Sequence, residues 1–239
     1  MNDPQRVRLF LSTEHPCGYL PARDARNAYL DPDFAMSATR YGWLLAQGFR
    51  RSGVHVYRPH CLQCEACRPA RVPVRQFKPS RGQRRCLARN RDVSVSEARQ
   101  LTDEHFHLYR RYLAARHAGG GMDTGNREAF HAFLECGWGE ARFWEFRADG
   151  RLLALAVVDR VPQALSAVYT FFDPDEAARS LGTLAILKQI ETAAARKLEH
   201  VYLGYWVQGS QKMEYKKNFR PMEVLGPRGW EPAEPLSAT

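Results

Sequence analysis

The fold is set by the segment ARFWEFRADGRLLALAVVDRVPQALSAVYTFFDP (residues 141–174). It contains three runs rich in apolar, β-branched and aromatic residues, and the turn formers Asp149-Gly150 stand between the first two. A two-residue turn of this kind joins neighbouring antiparallel strands. The sequence therefore predicts a meander of three antiparallel strands over 141–148, 151–161 and 164–174.

Helical patterns flank this meander on both sides. Upstream, one helix starts at Thr102 and is expected to end at the glycine run 119–121, and a shorter one follows it. Downstream, a long helix over 179–198 precedes the strand HVYLGYWV (200–207). This order of elements, with two helices, three strands, a helix and a strand, is that of the GNAT-type N-acyltransferase fold. The resemblance is an analogy at the level of the fold.

The predicted fold class is accordingly α+β. Residues 70–239 are predicted to form a GNAT-like domain with a mixed, mainly antiparallel sheet, and residues 1–69 to form a separate Cys-containing region. In that region Asp31-Pro32 is typical of a helix start and Gly48 of a helix end. The alternation around Val54 and Val56 predicts a strand that leads to the cysteines.

The chain after the cysteines is predicted to form a strand, a helix and a second strand. The run ARVPVRQF (70–77) has strand character, and Pro73 favours a position at the edge of a sheet. Ser80 is a suitable cap for a short Arg-rich helix, and DVSVSEA (92–98) has the pattern of a short strand.

Four cysteines suggest a metal site. Cys61, Cys64 and Cys67 follow one another at C-x2-C-x2-C spacing, and Cys17 lies in an earlier turn-rich segment. Thiolates at such spacing suit zinc or an iron-sulfur cluster of structural or regulatory use. Reduced, buried thiols are the alternative, because the spacing is not that of two paired C-x2-C hairpins. Cys86 and Cys136 are interpreted as packing residues.

The charge of the chain indicates a polyanionic partner. The formal net charge is +9, and residues 68–91 contain nine Lys or Arg and no acidic residue. Such a segment is typical of nucleic-acid contact. No apolar run approaches the ~18 residues of a membrane span, and the N-terminus lacks the apolar core of a signal peptide. We therefore expect a cytoplasmic protein that does not use a membrane as partner.

Several blocks taken together resemble a known family. They are HPCGYLPAR (15–23), GFRRSGVHVYRPHCLQCEACRP (48–69), FKPSRGQRRCLARN (77–90), RHAGGGMD (116–123), SAVYTFFDPD (166–175) with RSLGT (179–183), and YLGYWVQGSQKMEYKKNFRP (202–221). In this order they resemble the bacterial aspartate/glutamate leucyltransferases, relatives of the eukaryotic arginyl-tRNA-protein transferases. Eukaryotic members carry a paired C-x-x-C near the N-terminus, whereas here Cys17-Gly18-Tyr19 is followed by Leu20.

The resemblance implies an enzyme that moves leucine from Leu-tRNA to the N-terminal amine of proteins beginning with Asp or Glu, which marks them for degradation. It also implies that residues 1–69 serve acceptor recognition or regulation. An ester attacked by an amine gives an amide without ATP, so no cofactor is required for the chemistry. Residues 68–91 would then grip tRNA, through Arg71, Arg75, Lys78, Arg81, Arg84, Arg85, Arg89 and Arg91.

Catalytic candidates lie in the C-terminal half. Asp173 follows the third meander strand and is the candidate to orient or deprotonate the attacking amine, although an Asp before Pro is commonly a cap. Tyr205 and Ser210 are further catalytic candidates, and Tyr205 is equally consistent with a core strand residue. Substrate-binding candidates are Tyr169, Arg179, Trp206, Lys212, Tyr215 and Lys216, and the acceptor carboxylate is assigned to one of Arg50, Arg51 and Arg58.

Three alternatives remain open at this point. The same reaction with an arginyl-tRNA donor differs only in a side-chain pocket. A CoA-dependent N-acetyltransferase is consistent with the element order and with RSLGT before a helix, although a small cofactor does not need so many arginines. A metal-stabilised RNA-binding module explains residues 61–91 but assigns no role to the C-terminal half.

Overall fold

The computed structural model describes residues 7–116, 126–138 and 140–233. The expected helix end at 119–121 lies outside these residues. The first part of the chain forms two small sheets and a helix. Its elements are β1 (Leu9–Leu11), β2 (His15–Pro16), β3 (Asp24–Ala25), β4 (Asn27–Leu30), α1 (Ala38–Ala46), β5 (Arg50–Ser52) and β6 (His55–Pro59). The first small sheet has the strand order β1-β4-β6-β5, and the second pairs β2 with β3.

The helix α1 begins six residues later than Asp31-Pro32 suggested. Ser37 is its N-cap, and its side chain accepts a hydrogen bond from the amide of Arg40 at 3.3 Å. Asp31 instead accepts from the amide of Asp33 at 3.0 Å and closes a short turn. Asp at the start of a turn makes the same kind of bond as Asp at a helix start, which explains the error. Gly48 follows the helix with φ +85°, as predicted.

The rest of the chain builds one large sheet with helices on both faces. Its elements are β7 (Arg68–Pro73), α2 (Arg81–Arg89), β8 (Ser94–Ala98), α3 (Asp103–Arg116), α4 (Arg127–Leu134), β9 (Glu140–Ala148), β10 (Arg151–Val161), β11 (Ala164–Phe172), α5 (Leu181–Ala195), β12 (His200–Trp206), β13 (Glu223–Gly226) and β14 (Gly229–Pro232), with 3-10 segments at Val74–Gln76, Pro174–Arg179 and Glu214–Asn218.

The large sheet has the strand order β14-β13-β7-β12-β11-β10-β9-β8. Its pairs are antiparallel except for β11 and β12, which are parallel. This confirms the mixed, mainly antiparallel sheet and the three-strand meander. The edge position expected for Pro73 is wrong, because β7 lies between β13 and β12. Pro73 is tolerated there because pairing with β13 reaches only Ala70 and Arg71.

The core lies on both faces of β10, whose residues from Leu152 to Val158 are buried. One apolar cluster packs α5 and α2 against the sheet, and a second packs α3 and α4 against the opposite face. A third cluster joins α1 and the first small sheet to Val161, Ala164 and Tyr202. The division into regions 1–69 and 70–239 stays a prediction. Within the described part of the chain, no helix has the length and apolar character to span a membrane.

An opening forms between the two parallel strands of the sheet. β11 and β12 pair only at Ala164–Ser166 and His200–Tyr202, although both strands continue beyond these residues. The facing edges of the two strands are therefore not bonded to each other toward their carboxyl ends. This opening, defined by residues 167–172 and 203–206, positions the candidate site.

Candidate functional site in the opening between β11 and β12

Arg50 enters the opening from β5. Its Nη2 donates to the carbonyl oxygens of Ala167 at 2.8 Å and Val168 at 3.1 Å. Across the opening, Gly204 has φ +78°, and a Cβ at that position would overlap Nη1 of Arg50. Position 204 therefore requires glycine for two reasons: its backbone is left-handed, and the guanidinium of Arg50 leaves no room for a Cβ.

Lys216 provides a second cation beside this opening. The side chain is buried, and its ammonium donates to the carbonyl oxygen of Tyr205 and lies 3.1 Å from the sulfur of Met213. Burial holds the pKa of Lys216 well below its ordinary value, and the nearby charge of Arg50 lowers it further. Lys216 lies in a 3-10 segment and its side chain is buried, whereas Lys212 is exposed.

Tyrosines surround the two cations. The hydroxyl of Tyr205 donates to the carbonyl of Gly48 at 3.0 Å and lies 3.3 Å from the carbonyl of Tyr57. Burial raises the pKa of Tyr57, Tyr205 and Tyr19, the last to about 12, while the charge of Arg50 opposes the shift in each case. These hydroxyls are therefore neutral hydrogen-bonding groups near neutral pH. The catalytic assignment of Tyr205 stays a prediction, and its hydroxyl is engaged with the backbone.

The four predicted cysteine ligands line one cavity of about 300 Å³ next to Tyr57 and Tyr205. Burial raises the pKa of Cys67 to about 12, with smaller contributions from Cys17, Cys61 and Cys64. Soft thiols around one cavity are a donor set that fits zinc or an iron-sulfur cluster. Among the described residues, however, no group of three or more His, Cys, Asp or Glu side chains is arranged to hold a metal ion.

The structure separates the three arginines proposed for the acceptor carboxylate. Arg51 is committed to the protein interior, because Nε and Nη2 each lie 2.7 Å from a carboxylate oxygen of Asp159 and the side chain is 0% exposed. Arg58 is half-buried, with its guanidinium 5.0 Å from the centroid of the Phe49 ring. Arg51 therefore forms a buried ion pair, Arg50 is the arginine that reaches the opening, and the choice among the three for the acceptor carboxylate stays a prediction.

Asp173 occupies the cap position that was its alternative interpretation. Its side chain is 1% exposed, accepts from the amide of Asp175 at 3.1 Å, and pairs with Arg111 at 2.8 Å and Arg151 at 3.6 Å. Both carboxylate oxygens are engaged in these contacts. Asp173 is therefore a cap and ion-pair partner at the end of β11, and its role toward the attacking amine stays a prediction.

The other C-terminal candidates divide into buried and exposed residues. Tyr169 packs among aromatic rings of α3 and α4, and burial raises its pKa. Trp206 and Ser210 are buried, and Ser210 forms a turn in which its carbonyl accepts from two later amides. Tyr215 is 46% exposed. Their proposed roles stay predictions.

Most of the basic segment forms an exposed surface. Ser80 starts α2 with a capping box, as predicted, and Gln83, Cys86 and Asn90 form its buried face. Gln83 donates to the carbonyl of Asn218 at 3.0 Å, and Asn90 donates to the carbonyl of Arg179 at 2.9 Å. The exposed cations are Arg75, Lys78, Arg81, Arg84, Arg85, Arg89 and Arg91.

Two arginines assigned to ligands are engaged inside the protein. Arg71 pairs with Glu223 at 2.7 Å and its guanidinium lies 4.2 Å from the centroid of the Trp230 ring, and its assignment to tRNA contact stays a prediction. Arg179 pairs with Asp92 at 2.8 Å and Glu176 at 3.0 Å, and its assignment to substrate binding stays a prediction. The sequence did not indicate these pairs because Glu223 and Asp92 are distant in sequence from Arg71 and Arg179.

The sequence analysis missed the role of Gly204 and the proximity of Arg50 to Lys216. A glycine inside a strand pattern is a recognised sign of close approach by another group, so Gly204 offered a usable signal. No local pattern joins Arg50 to Lys216, because the contact depends on how the first small sheet docks onto the large one.

Comparison with known proteins gives matches over most of the chain. The models described as arginine-tRNA-protein transferase, N terminus and C terminus, match residues 15–85 and 104–226. A protein named aspartate/glutamate leucyltransferase from Pseudomonas savastanoi pv. phaseolicola is 50% identical over 96% of this chain and 98% of its own length. A protein of the same name from Stenotrophomonas maltophilia is 52% identical over 94% and 92%.

One solved structure supports the fold independently of sequence. The C-terminal domain of a putative lysylphosphatidylglycerol synthetase from Agrobacterium fabrum superimposes with a TM-score of 0.50 at 15% identity. The match covers 69% of this chain and 61% of that chain. At this identity the likeness concerns the fold alone.

Proposed function

Because the chain belongs to the arginine-tRNA-protein transferase family, we propose that it transfers leucine from Leu-tRNA to the N-terminal amine of proteins beginning with Asp or Glu. The observation that carries the proposal is identity of about half over nearly the full length of relatives named for this transfer. The same relatives favour leucine over arginine as donor.

The reaction exchanges an ester for an amide. The neutral N-terminal amine of the acceptor attacks the carbonyl carbon of the leucyl ester, the bond to the tRNA ribose oxygen breaks, and the proton lost by the amine ends on that oxygen. An α-amine has a reference pKa of ~7.7 to 8.0, so a neutral fraction exists near neutral pH. Alignment of the two substrates and stabilisation of the developing oxyanion are the main tasks of the enzyme.

We place these tasks in the opening between β11 and β12. Beyond Ser166 and Tyr202 the two strands are no longer paired. Backbone N–H and C=O groups on their facing edges therefore do not hydrogen-bond across this strand pair. Several neutral tyrosine hydroxyls surround the same opening. Such fixed donors next to a reacting carbonyl stabilise negative charge as it develops.

We assign the tRNA contact to the exposed face of α2 and its flanks. Its cations stand on a helix whose buried face contacts both the 3-10 segment that carries Lys216 and the start of α5. Exposed Arg side chains bind phosphate through paired N–H groups and displace counterions from the nucleic acid. An acceptor arm on this surface would bring its aminoacyl end toward the opening.

The cysteines are proposed to hold zinc or an iron-sulfur cluster in a structural or regulatory role. Cys17, Cys61, Cys64 and Cys67 would be the ligands, and no step of the transfer uses the metal. Metal and sulfide analysis of purified protein tests this directly, because a metal-free protein with four alkylatable thiols and full stability would contradict it. As charged tRNA is a cytoplasmic substrate, we also propose a cytoplasmic location.

The test of the proposed function is a transfer assay with defined substrates. Radiolabelled Leu-tRNA and Arg-tRNA are each incubated with peptides that begin with Asp, Glu or Ala and are otherwise identical. Label from Leu-tRNA on the Asp and Glu peptides alone is expected. Label transferred from Arg-tRNA would show that arginine is the donor amino acid. Transfer of acetyl groups from acetyl-CoA in RNase-treated samples would support the acetyltransferase alternative.

A further inference from the structure

Arg50 and Lys216 are two cations without a carboxylate partner. In the described part of the chain neither forms an ion pair with Asp or Glu, although most arginines near the sheet do. Their positive charges lie close enough for Arg50 to disfavour the charged form of Lys216. Partly desolvated like charges are costly unless an anion joins them. The pair therefore has the electrostatics of an anion-binding site.

The guanidinium of Arg50 retains donors for such an anion. Nη2 uses its two N–H groups on the carbonyls of Ala167 and Val168. Nε and Nη1 have no hydrogen-bond partner among the residues that the structure describes. The two carbonyl contacts fix the orientation of the group, so little side-chain entropy remains to be lost when a carboxylate binds.

The position of the pair matches an acceptor better than a tRNA phosphate. Lys216 is 3% exposed, whereas the cations of α2 lie on an open surface that suits a polyanion. In an N-terminal Asp or Glu, the side-chain carboxylate and the reactive amine are only a few bonds apart. A carboxylate held at Arg50 would therefore leave the amine inside the opening, where the leucyl ester must arrive.

We propose that Arg50 and Lys216 bind the side-chain carboxylate of the N-terminal Asp or Glu of the acceptor and thereby set the acidic specificity of the enzyme. Gly204 supports this role because it leaves room for the guanidinium. The inference rests on the proposed leucyl transfer. It makes Arg50 and Lys216 specificity-determining residues and leaves the chemical step to other groups in the opening.

The experiment compares Arg50→Gln and Lys216→Met with the wild type on peptides that begin with Asp, Glu, Asn or Gln. Charge-assisted hydrogen bonds are among the strongest in proteins, so kcat/KM for the Asp peptide should fall about 10- to 100-fold in each variant. For the Asn peptide, kcat/KM of each variant should stay within about 3-fold of the low wild-type value, since an amide forms no ion pair. The Asp to Asn ratio is therefore expected to collapse.

Arg196→Gln serves as the matched control, because it removes one exposed positive charge at the far end of α5. It should leave the Asp to Asn ratio unchanged. Arg50→Lys keeps the charge but lacks the planar fork, and it should restore part of the ratio if the proposal is right. It also provides a second measurement if Arg50→Gln fails to fold.

Two results would overturn the proposal. Equal losses on all four peptides would mean that Arg50 only maintains the opening, and a higher KM for Leu-tRNA with unchanged acceptor preference would move the pair to the donor site. A wild-type protein that transfers leucine to none of the peptides would instead refute the proposed function, so the two failures are distinguishable.

Discussion

Replacing Asp159 with Ala should unfold the protein at markedly lower denaturant concentration. Asp159 on β10 meets Arg51 on β5 in a two-point contact at 2.7 Å and 2.7 Å, with side-chain exposures of 3% and 0%. Among the described residues, the substitution leaves the buried guanidinium with the carbonyls of Gly53 and Leu134 as its remaining hydrogen-bond partners. Breaking one side of such a pair costs ~3–5 kcal/mol.

The assay is equilibrium unfolding in urea followed by circular dichroism and tryptophan fluorescence. Glu191→Ala is the control, because its contact with Lys188 is largely exposed and should contribute less than ~1 kcal/mol. A double variant, Arg51→Met with Asp159→Leu, should recover most of the loss since no unpaired charge remains. A loss below ~1 kcal/mol for Asp159→Ala would refute the reasoning.

The same pair bears on the division of the chain into two regions. Arg51 belongs to β5 of the first small sheet, Asp159 to β10 of the large sheet, and the Leu134 carbonyl to the end of α4. We therefore expect both probes to report one coincident transition. Two separate transitions would show that residues 1–69 unfold on their own.

Three further predictions concern the opening and the basic surface. Gly204→Ala should lower the free energy of unfolding by more than the ~1–2 kcal/mol cost of a left-handed conformation, and it should also reduce the ratio of kcat/KM for the Asp peptide to that for the Asn peptide. Gly209→Ala is the control, because φ is +81° there but nothing lies near the added Cβ. Thermal unfolding of that variant should show the backbone strain alone. The pKa of Lys216 is lower in the folded protein than its value of ~10.4 in the unfolded chain, so between these two values only the unfolded state carries the proton on Lys216. The free energy of unfolding should therefore rise with pH in this range. Lys216→Met should flatten that rise when unfolding is measured as a function of pH. Arg81→Glu with Arg85→Glu should weaken Leu-tRNA binding and reduce the slope of log affinity against log salt, and an unchanged slope would remove α2 from the interface.

Local chemistry was sufficient to predict much of the fold. The Asp149-Gly150 turn and the apolar runs around it predicted the meander, and Ser80 predicted the start of α2, because these signals act within a few residues. Asp31 misled because one hydrogen-bonding pattern serves both turns and helix starts. Pro73 misled because the extent of pairing with β13 is a tertiary property.

The site was harder to predict because neighbouring residues on a strand face opposite sides. Arg50 and Arg51 are adjacent, yet one reaches the opening and the other a buried carboxylate. Which of the two arginines reaches the opening depends on how the first small sheet docks onto the large sheet. Likewise, the ion pairs of Asp173 could not be predicted, since Arg111 and Arg151 approach it from other elements.

The contact from Gln83 to the carbonyl of Asn218 has a consequence for the order in which substrates act. It joins the helix proposed to carry tRNA to the segment that contains Lys216. If donor binding shifts or stiffens α2, the affinity for acidic acceptors changes by some factor. Thermodynamic linkage then requires acidic acceptors to change the affinity for Leu-tRNA by the same factor, and uncharged analogues to do so less.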